Sequence, residues 1–119
     1  MHKQYISMFV AGAVLSLAGG VQAATSEALI KQGRDVFLNK SKGNCISCHQ
    51  INDPDAKLAG NQGPPMIAMS QRFPDKRKLR AQIWDPTINN PLTIMPPLGK
   101  HWILSEDQID AVVEYIYQF

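Results

Sequence analysis

The stretch Cys45-Ile46-Ser47-Cys48-His49 decides the fold and most of the chemistry of this chain. Two cysteines three positions apart, followed at once by a histidine, form the attachment motif of c-type haem. Each thiolate can form a thioether bond to one vinyl group of the porphyrin, and His49 then lies beside the iron as an axial ligand. The motif uses both cysteines of the chain, so no thiol remains for a disulfide or for nucleophilic catalysis.

Two other readings of the paired cysteines are less favourable. A thioredoxin-like redox pair is expected within a βαβ pattern, which does not surround this motif. A structural zinc site needs four ligands at finger-like spacing. After residue 23, the chain offers only His101 as a further histidine, more than fifty residues along. The sequence therefore predicts one haem c, attached through Cys45 and Cys48.

The first 23 residues have the features of a secretory signal peptide. His2 and Lys3 form a short basic start, Met8–Ala18 is an apolar run, and Val21-Gln22-Ala23 has the small-x-small form of a cleavage site. The run is about half of the ~20 residues that a membrane-spanning helix needs, which disfavours an uncleaved anchor. We therefore expect cleavage after Ala23, export to the periplasm and no membrane anchor after cleavage.

Removal of residues 1–23 leaves residues 24–119, enough for one small domain. A protein core of that size is marginal, and a covalently attached haem would add a large apolar plate at its centre. The whole chain has a formal net charge of +2 at pH 7, and this balance gives no indication of nucleic-acid binding.

Three segments carry helical patterns, and none is a convincing strand. Ser26–Asn39 and Pro74–Trp84 have apolar residues at helical spacing, and a third helix starts at Ser105 with the form of a capping box. We expect Leu79 and Ile83 to face inward, and the last helix to bury a stripe of Ile109, Val112, Val113 and Ile116. Gly33 is unfavourable in mid-helix unless another helix crosses there closely. We expect loops at residues 50–71 and 89–99, of which the first is long enough to wrap around the haem. The sequence predicts a small all-α domain.

A cytochrome that carries electrons usually has a second axial ligand, often methionine. Met95 lies in the proline-rich loop before the last helix, and we predict that it is this ligand. Met66 and Met69 follow His49 too closely to cross easily to the far side of the haem, and we expect them to fill gaps in the core. His101 as the ligand, another methionine, or an open iron position are the alternatives.

The second ring nitrogen of His49 needs a hydrogen-bond acceptor, as metal-bound histidines generally do. Gly63-Pro64-Pro65 resembles the Gly-Pro element of class I cytochromes c, in which a proline carbonyl accepts this bond. The resemblance assigns that part to Pro64, and the alternative is an ordinary turn.

Several longer stretches resemble SoxX, the small mono-haem subunit of the SoxAX cytochromes of bacterial sulfur oxidation. The resemblance extends from about Gly33 to Tyr117, and Arg72-Phe73-Pro74-Asp75 and Leu79-Arg80-Ala81-Gln82-Ile83-Trp84-Asp85 are its most specific parts, since haem binding does not require them. It also includes Lys42–His49, Gly60–Pro65 and Asn90–Pro97. It implies a class I cytochrome c-like fold, with His49 and Met95 as the axial ligands.

The resemblance also implies a function. A SoxX protein pairs in the periplasm with SoxA, a mono- or di-haem subunit, and the complex oxidatively couples thiosulfate to a cysteine of the carrier SoxYZ. The SoxX haem accepts the released electrons and passes them to a small cytochrome c. The chain would then be the electron-transfer subunit of an L-cysteine S-thiosulfotransferase, with no catalytic residue of its own. The alternatives are a free periplasmic electron carrier and a haem sensor with an open iron position.

A basic cluster lies in and beside the second predicted helix. Its members are Arg72, Lys76, Arg77, Lys78 and Arg80. One interpretation is a docking patch for a partner or an anionic substrate. The other is the solvated face of a surface helix.

Overall fold

The computed structural model describes the backbone of residues 18–119 and the side chains of residues 26–119. This part contains four α-helices, α1 (Ala18–Leu38), α2 (Met69–Arg72), α3 (Lys76–Trp84) and α4 (Glu106–Ile116), and 3₁₀ turns at Cys45–Ser47 and Pro86–Ile88. Within it, β-type pairing is limited to one parallel bridge between Ile51 and Met66. The all-α prediction is confirmed.

Helices α1 and α4 cross in contact at Gly33. A Cβ atom at Gly33 would lie 1.9 Å from the carbonyl oxygen of Ala111 and 2.8 Å from Cβ of Tyr115. No side chain fits in that gap, which is why the sequence accepts glycine in mid-helix. The close helix crossing predicted at Gly33 is therefore present, and the crossing helix is the last one. Beside it, Phe37 and Tyr115 meet edge to face, with ring centroids 5.7 Å apart.

Helix α4 supplies the largest share of the core. Ser105 caps its start: the Ser105 hydroxyl accepts from the Gln108 backbone N–H, and the Gln108 side chain accepts from the Ser105 N–H. This is the predicted capping box. The four predicted inward residues are all buried, namely Ile109, Val112, Val113 and Ile116.

Helix α3 begins two residues later than the proline pattern predicts. Asp75 is its N-cap, with a side-chain oxygen that accepts from the Arg77 N–H, so Pro74 stays outside the helix. Leu79 and Ile83 face the core as predicted and are buried. The helix ends at Trp84, before Asp85-Pro86, as predicted.

Three other boundaries differ from the predictions. Helix α1 starts at Ala18 rather than Ser26 and ends at Leu38 rather than Asn39. The predicted loop at residues 50–71 contains the start of α2, which is a single helical turn. Ala68, the residue before this turn, has a left-handed backbone conformation. Residues 1–17 of the predicted signal peptide lie outside the described residues. Cleavage after Ala23 would fall within α1, and it stays a prediction.

Candidate haem site

The Cys45–His49 motif folds into a tight turn that begins at Asn44. Asn44 adopts a left-handed conformation with φ of 50°, and its side chain accepts a hydrogen bond from the Ser47 hydroxyl at 2.6 Å. Asparagine tolerates this conformation better than most residues. The backbone N–H groups of Cys48 and His49 then both donate to the carbonyl oxygen of Cys45. The turn places both cysteines and His49 on the wall of one cavity.

The backbone of residues 60–66 runs beside residues 46–50 and donates three hydrogen bonds to them. The donors and acceptors are Gly60 N to Ile46 O, Gly63 N to Cys48 O, and Met66 N to Gln50 O, at 2.7 to 2.9 Å. The two glycines permit the close approach, because a Cβ at Gly60 would lie 1.8 Å from Ser47 O and one at Gly63 would lie 2.4 Å from His49 Cε1. The sequence predicts a loop at Gly60 and a Gly-Pro element at Gly63, but no local pattern indicates which atoms pack against these two glycines.

This pairing brings Pro64 to His49. The Pro64 carbonyl oxygen lies 2.8 Å from His49 Nδ1, at the place that the Gly-Pro resemblance assigns to it. A carbonyl oxygen only accepts, so Nδ1 must carry the proton of the neutral ring. The lone pair is thereby left on Nε2, the atom available to a metal. Pro64 thus fixes both the tautomer and the orientation of the ring.

The motif opens onto a largely apolar cavity of about 670 Å³. Its apolar wall comes from α1, α3, α4 and the loops between them, and includes Phe37, Leu79, Ile83, Leu98, Val112 and Ile116. A flat apolar cofactor suits such a wall, and the two cysteines and His49 stand at its edge in the attachment arrangement. The residues present therefore fit a covalently bound haem c.

The structure places the three methionines of the cytochrome domain around this same cavity. Met95 is half-buried in the wall, and its backbone N–H donates to the Thr93 hydroxyl at 3.1 Å. Met66 and Met69 are buried in the wall as core residues. His101 is exposed and does not line the cavity. Met95 therefore stays the predicted second axial ligand, and its bond to iron is a proposal.

Burial raises the pKa of the Cys45 thiol to about 12. Desolvation of the thiolate is the main cause.

Arg72 is the one Lys, Arg, Asp or Glu among the described residues that line the cavity. Its guanidinium donates to the carbonyl oxygen of Pro65 at 2.9 Å and lies near the Met69 sulfur. Arg72 thus braces the segment that carries Pro64. The sequence places Arg72 in the basic cluster, and only the folded structure shows that Arg72 lies on the cavity wall.

A buried carboxylate ties the loop after His49 to the crossing of α1 and α4. Both Asp53 oxygens accept hydrogen bonds from Arg34 at 2.7 Å, and the Tyr115 hydroxyl donates to one of them at 2.7 Å. The Arg34 guanidinium, helped by Tyr115, holds the pKa of Asp53 well below its usual range. Burial and the Asp53 charge raise the pKa of Tyr115. Sequence reasoning missed this cluster because its members are far apart in the chain.

Most of the basic cluster is paired with acidic side chains. Lys76 bonds Glu114 at 2.7 Å, and Arg80 bonds both Asp110 and Glu106 on α4, at 2.5 and 3.0 Å. Arg77 pairs with Asp75, the cap of its own helix. The hydrogen bonds to carboxylates raise the pKa of Arg77 and of Arg80. Lys76 and Arg80 thus join α3 to α4, and a docking role for the cluster stays a prediction.

Comparison with known proteins agrees with this geometry. Residues 30–119 match the family model described as cytochrome c. A protein of Aquifex aeolicus (strain VF5), described as an uncharacterized lipoprotein, is 27% identical over an alignment of 106 residues that covers 86% of this chain and 51% of that protein. The chain thus spans about half the length of this curated relative.

The fold is also similar to that of a solved structure. A chain in the crystal structure of SoxXA from P. pantotrophus matches with a TM-score of 0.65 at 24% identity, over 73% of this chain and 78% of that chain. At this level of identity, the likeness concerns the fold.

Proposed function

The chain belongs to the cytochrome c family, and we propose that it is the electron-accepting mono-haem subunit of a periplasmic SoxAX-type complex. Such a complex would couple thiosulfate oxidatively to a cysteine of a SoxYZ carrier. The electrons would leave through a small cytochrome c. The first part, a haem c protein of electron transfer, follows from the family and the site.

The chain's own residues hold and orient the cofactor. When bound, haem supplies an iron that gains and loses one electron. Cys45 and Cys48 would hold it through thioether bonds, and His49 would present Nε2 to the iron because the Nδ1 proton is hydrogen-bonded to the Pro64 carbonyl oxygen. Met95, on the wall of the same cavity, is the residue proposed as the second ligand. A methionine there raises the reduction potential relative to a second histidine, which suits an electron acceptor.

The fold likeness to a chain of the SoxXA crystal structure is the observation that supports the specific assignment. It covers most of both chains. The chain also contains the SoxX-like stretches Arg72–Asp75 and Leu79–Asp85, which haem attachment does not require. Those stretches have structural roles here: Asp75 caps α3, and Trp84 packs so tightly on Gly99 that a Cβ there would lie 2.2 Å from the indole ring.

The cysteine content supports a division of labour between subunits. With Cys45 and Cys48 both bonded to haem, the chain has no thiol to carry a sulfur intermediate. The sulfur chemistry must then occur on a partner, for which a SoxA-like subunit is the proposal. The chain alone should accept electrons without converting thiosulfate.

Export is part of the proposal. Residues 1–23 are proposed as a cleaved signal peptide and residues 24–119 as the cytochrome domain. The relative from Aquifex aeolicus is described as a lipoprotein, a class of exported protein. No helix within residues 18–119 has the length and apolar character that crossing a membrane requires.

Purification of the tagged protein from the periplasm of its native host, grown on thiosulfate, tests the assignment. We expect a second haem-bearing subunit at fixed stoichiometry and thiosulfate-dependent haem reduction only when it is present. A lone monomer that recruits no partner and does not respond to thiosulfate would contradict the proposal. That outcome would favour a free electron carrier.

A further inference from the structure

Asp85 is the most fully buried charged residue of the described chain, with 4% of its surface exposed. One of its carboxylate oxygens accepts a hydrogen bond from Lys100 Nζ at 2.7 Å. The other accepts from the backbone N–H of Thr87 at 3.1 Å and from the Thr87 hydroxyl. These bonds, above all the one from Lys100, lower the pKa of Asp85, which is therefore a carboxylate at neutral pH. A buried charge is costly unless it is paired, and here the pairing joins two points 15 residues apart.

Backbone contacts join the chain at the same place. The carbonyl oxygen of Trp84 accepts hydrogen bonds from the N–H groups of Gly99 and Lys100, both at 3.2 Å. The Trp84 indole lies against Gly99, where a side chain would prevent this approach. We call these four residues, Trp84, Asp85, Gly99 and Lys100, the clamp. The chain leaves the clamp after Asp85 and returns to it at Gly99, so the clamp closes residues 86–98 into a loop whose ends meet.

Met95 lies in this closed loop and is half-buried in the wall of the haem cavity. Among the described residues, the hydrogen bonds of residues 91–96 all have both partners inside the loop. They run from Leu92 N to Asn90 Oδ1, from Thr93 N to Asn90 O and from Met95 N to Thr93 Oγ1. The position of Met95 therefore depends on its apolar packing and on how firmly the clamp holds the two ends of the loop.

The ion pair is the strongest hydrogen bond of the clamp. The bond from Lys100 to Asp85 is 2.7 Å long, whereas both backbone bonds to Trp84 are 3.2 Å, near the long end for N–H···O bonds. A hydrogen bond between charged groups is also about twice as strong as one between neutral groups. Loss of the charge on Asp85 should therefore loosen the clamp while its backbone contacts remain possible.

We propose that Asp85 and Lys100 are positioning residues, which hold the loop closed so that Met95 stays on the iron. The inference rests on the proposed function, and in particular on ligation of the iron by Met95. A loop whose ends are already joined loses less chain entropy when Met95 binds the iron. With the clamp loosened, the open form of the loop would be closer in free energy to the closed form. The iron would then lack its second axial ligand for a larger part of the time.

The rate of carbon monoxide binding to the reduced, haem-loaded protein tests this proposal, because the gas can bind only after Met95 has left the iron. Asp85→Asn keeps the shape of the side chain and removes its charge. We expect carbon monoxide to bind to this variant at least about tenfold faster than to wild type. Glu114→Gln is the matched control, because the ion pair of Glu114 with Lys76 is also 2.7 Å long but lies at the opposite end of α3. It should change the rate less than about twofold.

A Met95→Ala background shows whether the clamp acts through the proposed ligand. Without Met95 on the iron, addition of Asp85→Asn should not speed carbon monoxide binding further. If Asp85→Asn does not yield haem-loaded protein, Lys100→Gln takes its place in the same measurements, since the Lys100 side chain is 54% exposed and its replacement disturbs the core less.

The outcomes separate two kinds of failure. Carbon monoxide binding as fast in wild type as in Met95→Ala would contradict ligation by Met95 and, with it, that part of the proposed function. Slow binding in wild type that stays slow in Asp85→Asn and Lys100→Gln would overturn the positioning role alone. Equal acceleration by Asp85→Asn and Glu114→Gln, or acceleration that persists in the Met95→Ala background, would also overturn it, because the clamp would then not act through Met95.

Discussion

His49 depends on the backbone that passes over it. Gly63 lies against the imidazole ring, and the next residue, Pro64, provides the carbonyl that sets the ring's tautomer. The histidine itself was predictable from its place after Cys48. The contact of Gly63 was not, because it arises from hydrogen bonds between segments about fifteen residues apart.

Gly63→Ala tests this contact. The added Cβ would lie 2.4 Å from His49 Cε1, so the ring or the loop must move. Overpacking of this kind lowers the free energy of unfolding by about 1–3 kcal/mol. We expect lower stability of the haem-loaded protein and an altered ferric absorption spectrum. Asn61→Ala, at an exposed position of the same loop, should change neither. A spectrum and stability equal to wild type in Gly63→Ala would contradict the proposed positioning.

Met95→Ala tests the second axial ligand. If Met95 binds the iron, its removal opens a coordination position, and the reduced protein should bind carbon monoxide. Met95→His should lower the reduction potential, because imidazole replaces a thioether. Met69→Leu is the control, as Met69 is a buried residue of the same cavity wall. Carbon monoxide binding in the wild type equal to that in Met95→Ala would rule out Met95 as a firm ligand.

Asp53→Asn tests the buried carboxylate. Arg34 and Tyr115 lower the pKa of Asp53, so its stabilising contribution is present above the unfolded pKa of about 3.9 and is lost as the pH falls below it. At pH 7 the variant should be about 2 kcal/mol less stable, the scale of hydrogen bonds to a charged group. The difference from wild type should shrink between pH 4 and pH 2.

Denaturant unfolding of the haem-loaded protein at several pH values measures this difference. Asp55→Asn is the control, because Asp55 also bonds Arg34 but has a side chain that is 68% exposed. Asp55→Asn should lower the free energy of unfolding much less than Asp53→Asn does. A constant difference between Asp53→Asn and wild type from pH 6 to pH 2 would contradict the assignment of the charge to Asp53.

At the scale of elements, the apolar patterns predicted which faces of the helices are buried better than they predicted where helices begin. Leu79 and Ile83, and the stripe on α4, are buried as predicted. Helix α3 starts after Pro74 because the Asp75 side chain caps it. Helix α2 was missed because a helix of four residues has no repeating pattern to recognise. The cap at Ser105 was predictable because the capping box is local in sequence.

Gly33→Ala tests the crossing of α1 and α4. Alanine favours a helix over glycine by about 1 kcal/mol, so an isolated helix would gain stability. Here the Cβ would lie 1.9 Å from Ala111 O, and the helices must separate. We expect a net loss of about 3 kcal/mol in the free energy of unfolding. Gln32→Ala, at the exposed neighbour, should be neutral or slightly stabilising. A stabilised Gly33→Ala protein would show that the helices are not in close contact.

At the scale of the whole molecule, charged and apolar surfaces have separate tasks. Two members of the predicted basic cluster, Lys76 and Arg80, form ion pairs with acidic residues that are 26 to 38 residues away in the chain. Sequence alone could not show that pairing. The loop that carries Met95 contains no Lys, Arg, Asp or Glu between residues 86 and 99.

Reconstitution with purified components tests the central claim most directly. The haem-loaded protein is mixed with a SoxA-like subunit, a SoxYZ carrier and thiosulfate, and reduction of its haem is followed by the visible absorption of the ferrous form. The account predicts reduction only when all three are present, with thiosulfate coupled to the carrier cysteine. Coupling without reduction of this haem, or no reaction with the complete set, would contradict the assignment of this chain as the electron-accepting subunit.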